Sequence, residues 1–180
     1  MEYSELIKLR HSCRNYSKAP IAPEILDEIL EAGRIAPSAQ NRQPWRYIVV
    51  TNNELIKKIA LHSIVSLPNL FIKEAPVLIL ACGDVKSSLK FNKQDYYLVD
   101  VAISFQQMML AGWNHGIGSC WIAAFDETSL KKLIDLPDHY RIVGLSPFGY
   151  PKSKNLYSRL ISLVAGSKNR KPINEIVIYK

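Results

Sequence analysis

Between Pro23 and Pro37 the apolar positions Ile25, Leu26, Ile29, Leu30 and Gly33 recur at steps of three and four, and Glu24, Asp27 and Glu28 lead the run. That spacing predicts an amphipathic helix opened by proline, acidic at its positive end and stopping before Pro37. Upstream, Ser4 is placed to cap a short helix through Leu6, Ile7 and Leu9 that breaks near RHSCRNY. Downstream the period changes. Arg46 to Thr51 is a β-branched run that predicts a strand, and Asn52 is placed to cap a helix over NELIKKIALH. Ser63 to Ala75 is ambiguous, with Pro68 expected to split it. Pro76 to Cys82 is an uninterrupted apolar strand of the kind covered on both faces.

Charged residues from Asp84 to Asp95 predict a loop, after which Tyr96 to His115 predicts a long helix. No Lys, Arg, Asp or Glu occurs from Val101 to Phe125, a stretch of 25 residues. Gln106, Gln107, Asn114, His115 and the interspersed glycines argue against a membrane span. The better expectation is a helix buried all round, for which a chain of this size needs an extensive subunit interface. Ile117 to Ala123 predicts a third strand, Asp126 or Thr128 a capped helix to about Ile134, and Arg141 to Phe148 a fourth strand. The tail closes with EIVIY, Glu175 to Tyr179, a strand that needs an edge of its own sheet or of a partner's. Helices and strands alternate too irregularly for a simple wound sheet, so the expected class is α+β.

Composition narrows this only a little. At 180 residues and 48% hydrophobic content the chain fits a single domain, residues 1–180, with no repeat or low-complexity tract. The net charge of +7 raises the question of a polyanion, but the cations are scattered and no aromatic stacking motif accompanies them. A nucleic-acid-binding module is therefore a remote alternative. Lys168, Arg170 and Lys171 form a tighter group that suits one phosphate. The odd set Cys13, Cys82 and Cys120 offers no disulfide framework, and the charged N-terminus has no signal-type apolar segment; a cytoplasmic protein is expected.

The candidate chemistry lies in a few segments. RHSCR, Arg10 to Arg14, combines two guanidiniums, an imidazole and a hydroxyl, the donors an anion cradle uses, although alone it reads better as a surface basic turn. PSAQNRQPW, Pro37 to Trp45, puts Gln40, Asn41 and Gln43 at the mouth of a strand, more neutral amides than a turn requires. GWNHGIGSC has close glycines but runs from helix to strand, the reverse of a dinucleotide fingerprint. His11 with Cys13 and His115 with Cys120 lack the spacing of a metal site. No nucleophile and base occur in a nucleophile-elbow context. Two distant basic groups and an amide-rich turn converging on one ligand would suit a flavin mononucleotide, FMN.

RHSCRNY, APSAQNRQPWRYIVV, GIGSCWIAAF and KNRKPINEIV, in this order and spanning essentially the whole chain, resemble the FMN-dependent nitroreductase family. The resemblance implies a central mixed or antiparallel sheet flanked by helices in an intertwined homodimer. It further implies that Arg10 and Ser12, with His11 between them, hold the phosphate and ribityl chain, and that Arg14 reaches the pyrimidine side. Ser38, Asn41 and Gln43 would meet the isoalloxazine, often from the other subunit. Backbone N–H groups of Trp121, Ile122, Ala123 and Ala124 would face flavin N5 and O4, and Lys168 and Arg170, with Lys171 nearby, would complete the phosphate site. The implied reaction is ping-pong: NADH or NADPH delivers hydride to flavin N5 and leaves, and a nitroaromatic, quinone or related acceptor follows. No catalytic side chain, metal, membrane or nucleic acid is then required. Relatives with this fold also support dehalogenation, dehydrogenation and flavin breakdown, which stay open. The chain is short for the family, so roofing insertions would be reduced, with Ser63 to Ala75 or Asp84 to Asp95 left to form a lid.

Overall fold

The computed structural model describes residues 2–63, 67–152 and 169–180. Its chain order is α1 (Tyr3–Leu9), α2 (Pro23–Arg34), a 3-10 turn (Ala39–Asn41), β1 (Trp45–Val50), α3 (Asn53–His62), a 3-10 helix (Leu67–Glu74) and β2 (Val77–Asp84). A hairpin of β3 (Lys90–Phe91) and β4 (Gln94–Asp95) follows, then α4 (Tyr97–Asn114), β5 (Gly118–Ser119), α5 (Glu127–Leu133), β6 (Tyr140–Gly149) and a 3-10 turn at Ile173–Glu175. Strands β1, β2, β6 and β5 form one sheet in that order with every pair antiparallel. The class is α+β, with helices on both faces.

Alternation along β2 builds the two cores. Leu78, Leu80 and Cys82 point to one face, where Ile56 and Ile59 of α3, Phe71, Ile72 and Leu130 of α5 meet Leu145. Val77, Ile79 and Ala81 point to the other, against Ile29 of α2, Val101, Phe105 and Met108 of α4, and Phe148. A strand with both faces covered has no need of polar alternation, which is why β2 reads as one apolar run. Opposite Ala81 and Cys82 the register of β6 slips from Gly144 to Ile142, so Val143 is an extra residue in a bulge. Beside it Gly144 makes room for an indole: a Cβ there would lie 2.9 Å from Cε2 and Cζ2 of Trp121.

Local chemistry explains the elements that match expectation. Pro23 opens α2, Asn52 caps α3 by accepting from Leu55 N–H at 2.9 Å, and Asp126, not Thr128, caps α5 by accepting from Ser129 N–H at 3.2 Å. Elsewhere the structure departs. Glu2, not Ser4, is the N-cap of α1, without a side-chain bond, and Ser4 lies inside the helix. The expected loop from Asp84 to Asp95 contains the β3–β4 hairpin, turned by Asn92 and Lys93 with φ of 49° and 62°, the paired left-handed geometry that matches strand twist. The segment split at Pro68 is instead one 3-10 helix, with residues 64–66 outside the described residues.

The third strand is shorter than Ile117 to Ala123. It stops at Ser119 because the register puts Cys120 opposite Pro147, which has no N–H to give the ladder; Cys120 N–H donates instead to the Ser146 hydroxyl at 3.1 Å, and pairing resumes only as a bridge between Ile122 and Leu145. EIVIY is not a strand within the protomer: after the turn at Ile173–Glu175, Ile178 and Tyr179 are 84% and 91% exposed, and the segment pairs with no strand among the described residues. Within the protomer, helix α4 is buried on most of its circumference. Leu98, Val99 and Ile103 remain 49%, 49% and 40% exposed on one side. Among the described residues no helix is long and apolar enough to cross a membrane.

Candidate functional site

Helix α1 ends where Arg10 leaves helical geometry at φ −55°, ψ 125° while its N–H still donates to Leu6 O. The chain then runs extended beside the start of GSCW: Ser12 bridges Ser119 in parallel, and Cys13 N–H donates to Ser119 O at 2.9 Å. Gly118 permits that approach, since a Cβ there would lie 2.8 Å from the Cys13 Cβ. The His11 ring sits 4.6 Å from the Trp113 ring at the C-terminal end of α4, with its Nδ1 3.1 Å from Leu9 O. Arg14 Nη1 donates to Ser12 O at 3.4 Å. Burial pushes the Cys120 thiol up, opposed by the positive charges of Arg14 and, further off, Arg10. Both guanidiniums are half-buried and act on the same small region.

The amide-rich loop has its own frame. Ala39 N–H donates to Asp100 Oδ1 at 2.9 Å, and Gln43 N–H donates to the Ser38 hydroxyl at 2.9 Å. Between them Gln40, Asn41 and Gln43 hold left-handed φ of 52°, 55° and 49°. Such geometry costs on the order of 1 kcal/mol per non-glycine residue, so the surrounding bonds must impose it. Gln40 is occupied, accepting from Arg42 Nε and Nη2 at 3.2 and 3.0 Å. Gln43 Nε2 donates to Asn41 Oδ1 at 3.0 Å, which leaves Asn41 Nδ2 and Gln43 Oε1 without a partner among the described residues.

Beyond β5, Trp121 packs edge-on to Phe105 with ring centroids 5.1 Å apart. Ile122 N–H donates to Leu145 O at 2.9 Å, so of the four expected N–H groups this one is committed to the sheet. Ala123 and Ala124 are exposed, and no partner among the described residues takes their N–H groups. Asn69, 8% exposed, donates to Ser63 O at 2.9 Å and to Ala124 O at 3.2 Å, steadying this segment. Its role was not visible in the sequence, where its only signal was a lone amide in an ambiguous apolar stretch. Asp100 likewise carries no sequence signal beyond its place at the edge of an uncharged run.

The structure therefore brings RHSCR against GSCWIAA, whereas Ser38, Asn41 and Gln43 stand elsewhere in the same chain. The loop is held at Asp100 and His11 lies against Trp113, thirteen residues further along α4. At about 1.5 Å per residue that is roughly 20 Å along the helix. In the tail, Arg170 is exposed with its Nη1 donating to Asn169 O at 2.7 Å, Lys171 is exposed, and Lys168 lies outside the described residues. A separate cavity of about 530 Å³ near Lys18, Pro20, Lys57 and Lys73 is lined by none of the expected site residues. Among the described residues no group of three or more His, Cys, Asp or Glu is placed to hold a metal.

The same segments align with known proteins. The model of the nitroreductase family matches residues 7–70 and 65–150. A protein of Methanothermobacter thermautotrophicus, provisionally named an NADH dehydrogenase/NAD(P)H nitroreductase, is 33% identical over 156 residues, 84% of this chain and 78% of its own. The crystal structure of a nitroreductase family protein from Clostridium difficile 630 superposes with a TM-score of 0.83 at 32% identity, covering 100% of this chain and 99% of that one. This length is thus shared with a relative. An FMN-dependent nitroreductase from Clostridium difficile R20291 superposes with a TM-score of 0.74 at 25% identity over 83% of this chain and 88% of its own. Together with the antiparallel sheet between two helical layers, these matches establish that the chain belongs to the nitroreductase family.

Proposed function

We propose that the protein is an FMN-dependent oxidoreductase that uses NADH or NADPH to reduce nitroaromatic, quinone or related acceptors, and that it works as a homodimer with two flavins at the interface. The observation that carries this reading is the pairing of RHSCR with Ser119 and Cys120, which sets Arg10, Ser12 and Arg14 beside the start of the segment that leads to Ala123 and Ala124, whose N–H groups have no partner among the described residues. Arginine suits phosphate oxygens because its donors match them in pairs, and a serine hydroxyl adds a neutral donor. The FMN named for one Clostridium difficile relative and the NAD(P)H in the archaeal relative's name support the choice of cofactor and reductant.

Bound flavin would supply the redox chemistry, taking hydride at N5 and passing electrons to the acceptor. The chain's own residues bind and orient. Arg10, Ser12 and Arg14 would hold the phosphate and ribityl side with His11 braced on Trp113, and Arg170 with Lys168 would close over the phosphate. Trp121 to Ala124 form the segment beside the ring, with the N–H groups of Ala123 and Ala124 as its available donors. Asn41 Nδ2 and Gln43 Oε1 have the polarity for the pyrimidine edge, and Ser38 holds Gln43 in place.

The roughly 20 Å between this loop and RHSCR supports a shared site. A two-fold partner whose α4 ran antiparallel to this one about an axis midway between Asp100 and Trp113 would bring the loop end of one α4 to the RHSCR end of the other and cover the exposed Ile103. The same seam would cover aliphatic surface that α4 leaves open.

The test is anaerobic addition of NADH or NADPH to the FMN-loaded protein. Loss of the yellow absorbance, followed by its return on adding a quinone, is the expected result. A colourless protein that takes up no FMN overturns the reading; one that holds FMN but reacts with neither nucleotide transfers it to non-reductase flavin chemistry. Asn41→Ala is expected to retain FMN through the phosphate contacts while shifting the bound-flavin spectrum and lowering turnover. Turnover equal to wild type would remove Asn41 from the site.

A further inference from the structure

The carboxylate of Asp100 is 2% exposed, and its Oδ2 has no hydrogen-bond partner among the described residues. Burying a carboxylate behind a single backbone donor is costly, and burial alone would favour an apolar residue in this turn of α4. What Asp100 does hold is Ala39 N–H, the first donor of the 3-10 turn at the start of the amide-rich loop. A turn of this kind leaves its leading N–H groups unsatisfied unless a cap accepts from them. Ser38, the local N-cap, makes no side-chain cap bond, because its hydroxyl is used 2.9 Å away by Gln43 N–H. The cap is therefore supplied from a residue 61 positions away in sequence.

Directly after this point come Gln40, Asn41 and Gln43 in left-handed conformations, which asparagine tolerates but the two glutamines do not favour. From these observations we infer that Asp100 is a positioning residue: as a long-range cap on Ala39 it holds the loop in the geometry that presents Asn41 and Gln43 to the flavin. It touches neither flavin nor substrate. It also ties that geometry to α4 next to Val99 and one turn before Ile103, on the apolar stripe assigned to the partner copy. The flavin part of this inference rests on the proposed function; the clamp itself does not.

The test reads both parts separately. In the flavin-free protein, trypsin cleavage after Arg42, an exposed loop residue, reports opening of the loop. Asp100→Ala removes the acceptor and is expected to speed cleavage about tenfold, the scale of one lost charge-assisted bond, while Asp100→Asn keeps an acceptor and stays within about threefold of wild type. With FMN added, Asp100→Ala should bind it about tenfold more weakly and shift its visible band, and Asp100→Asn should largely restore both. Ala39→Pro deletes the donor instead. Ser38 is extended at φ −141°, ψ 159°, as the residue before proline requires, and the first position of the turn accepts proline, so this variant is expected to reproduce Asp100→Ala. Cleavage at the wild-type rate in Asp100→Ala overturns the clamp, as does wild-type cleavage in Ala39→Pro should Asp100→Ala fail to fold. Faster cleavage with unchanged FMN affinity and spectrum overturns the positioning role. A wild-type protein that takes up no FMN refutes the proposed function and leaves the cleavage result standing.

Discussion

Ile103→Asp is expected to yield a folded monomer that no longer retains flavin. Ile103 is 40% exposed in the protomer and Leu98 and Val99 on the same helix are 49% exposed, so a carboxylate at this position faces water in an isolated chain and costs the fold little. In a two-fold seam it is buried twice, once per copy, with no cation of α4 nearby, since Val101 to Phe125 contains none. Desolvating an unpaired carboxylate costs several kcal/mol, and two of them weaken association by on the order of a thousandfold or more. Sedimentation should report the mass of a single chain, with a circular dichroism spectrum like that of wild type and no bound FMN. A variant that remains dimeric with full flavin content would place the seam elsewhere.

Arg10→Ala should reduce FMN affinity without disturbing the protein's architecture. Alanine keeps the backbone N–H that donates to Leu6 O at the end of α1, so the loss is confined to the guanidinium. A charge-assisted contact to phosphate contributes about 1.5–3 kcal/mol, which corresponds to a roughly tenfold to hundredfold weaker complex. Arg170→Ala is expected to behave similarly from the other basic group. Titration of the flavin-free variants, followed by quenching of FMN fluorescence, measures both. Unchanged affinity in the two variants would remove the phosphate assignment and with it the main reason for grouping these segments.

Elements whose cause is local were legible in the sequence. Pro23 and Asn52 start their helices for reasons contained within a few residues, and the ends of α4 fall within one residue of Tyr96 and His115. The apolar run of β2 announced a strand covered on both faces, although not which helices cover it. Contacts made across the fold were not legible. Cys120 leaves the ladder for the hydroxyl of Ser146, 26 positions later, and no residue near Cys120 signals it. Asp100 reaches Ala39 over 61 positions, so its burial looked like the mere boundary of an uncharged stretch.

The candidate site divides in the same way. Arg10, Ser12 and Arg14 could be grouped from the sequence because they are neighbours in it, whereas their pairing with GSCWIAA depends on a parallel bridge that no local pattern encodes. The surplus of amides in PSAQNRQPW was visible, but their sorting was not: Gln40 is absorbed by Arg42, while Asn41 and Gln43 keep polar atoms free among the described residues. EIVIY has the composition of a strand, yet strand formation needs pairing with an edge, and among the described residues this segment pairs with none.

The shared flavin site is the centre of the account, and mixed dimers test it most directly. One copy carries Arg10→Ala and the other Asn41→Ala with Gln43→Ala, each on a distinct tag, and the doubly tagged dimer is titrated with FMN at concentrations that fill the wild-type sites but only a minor fraction of those in either parent dimer. If each site joins Arg10 of one copy to the loop of the other, one site per mixed dimer is intact and the other carries both defects. The predicted result is binding of wild-type affinity at half the sites. Absence of any high-affinity site in the mixed dimer would show that Arg10, Asn41 and Gln43 of a single chain meet the same flavin, and would contradict the account.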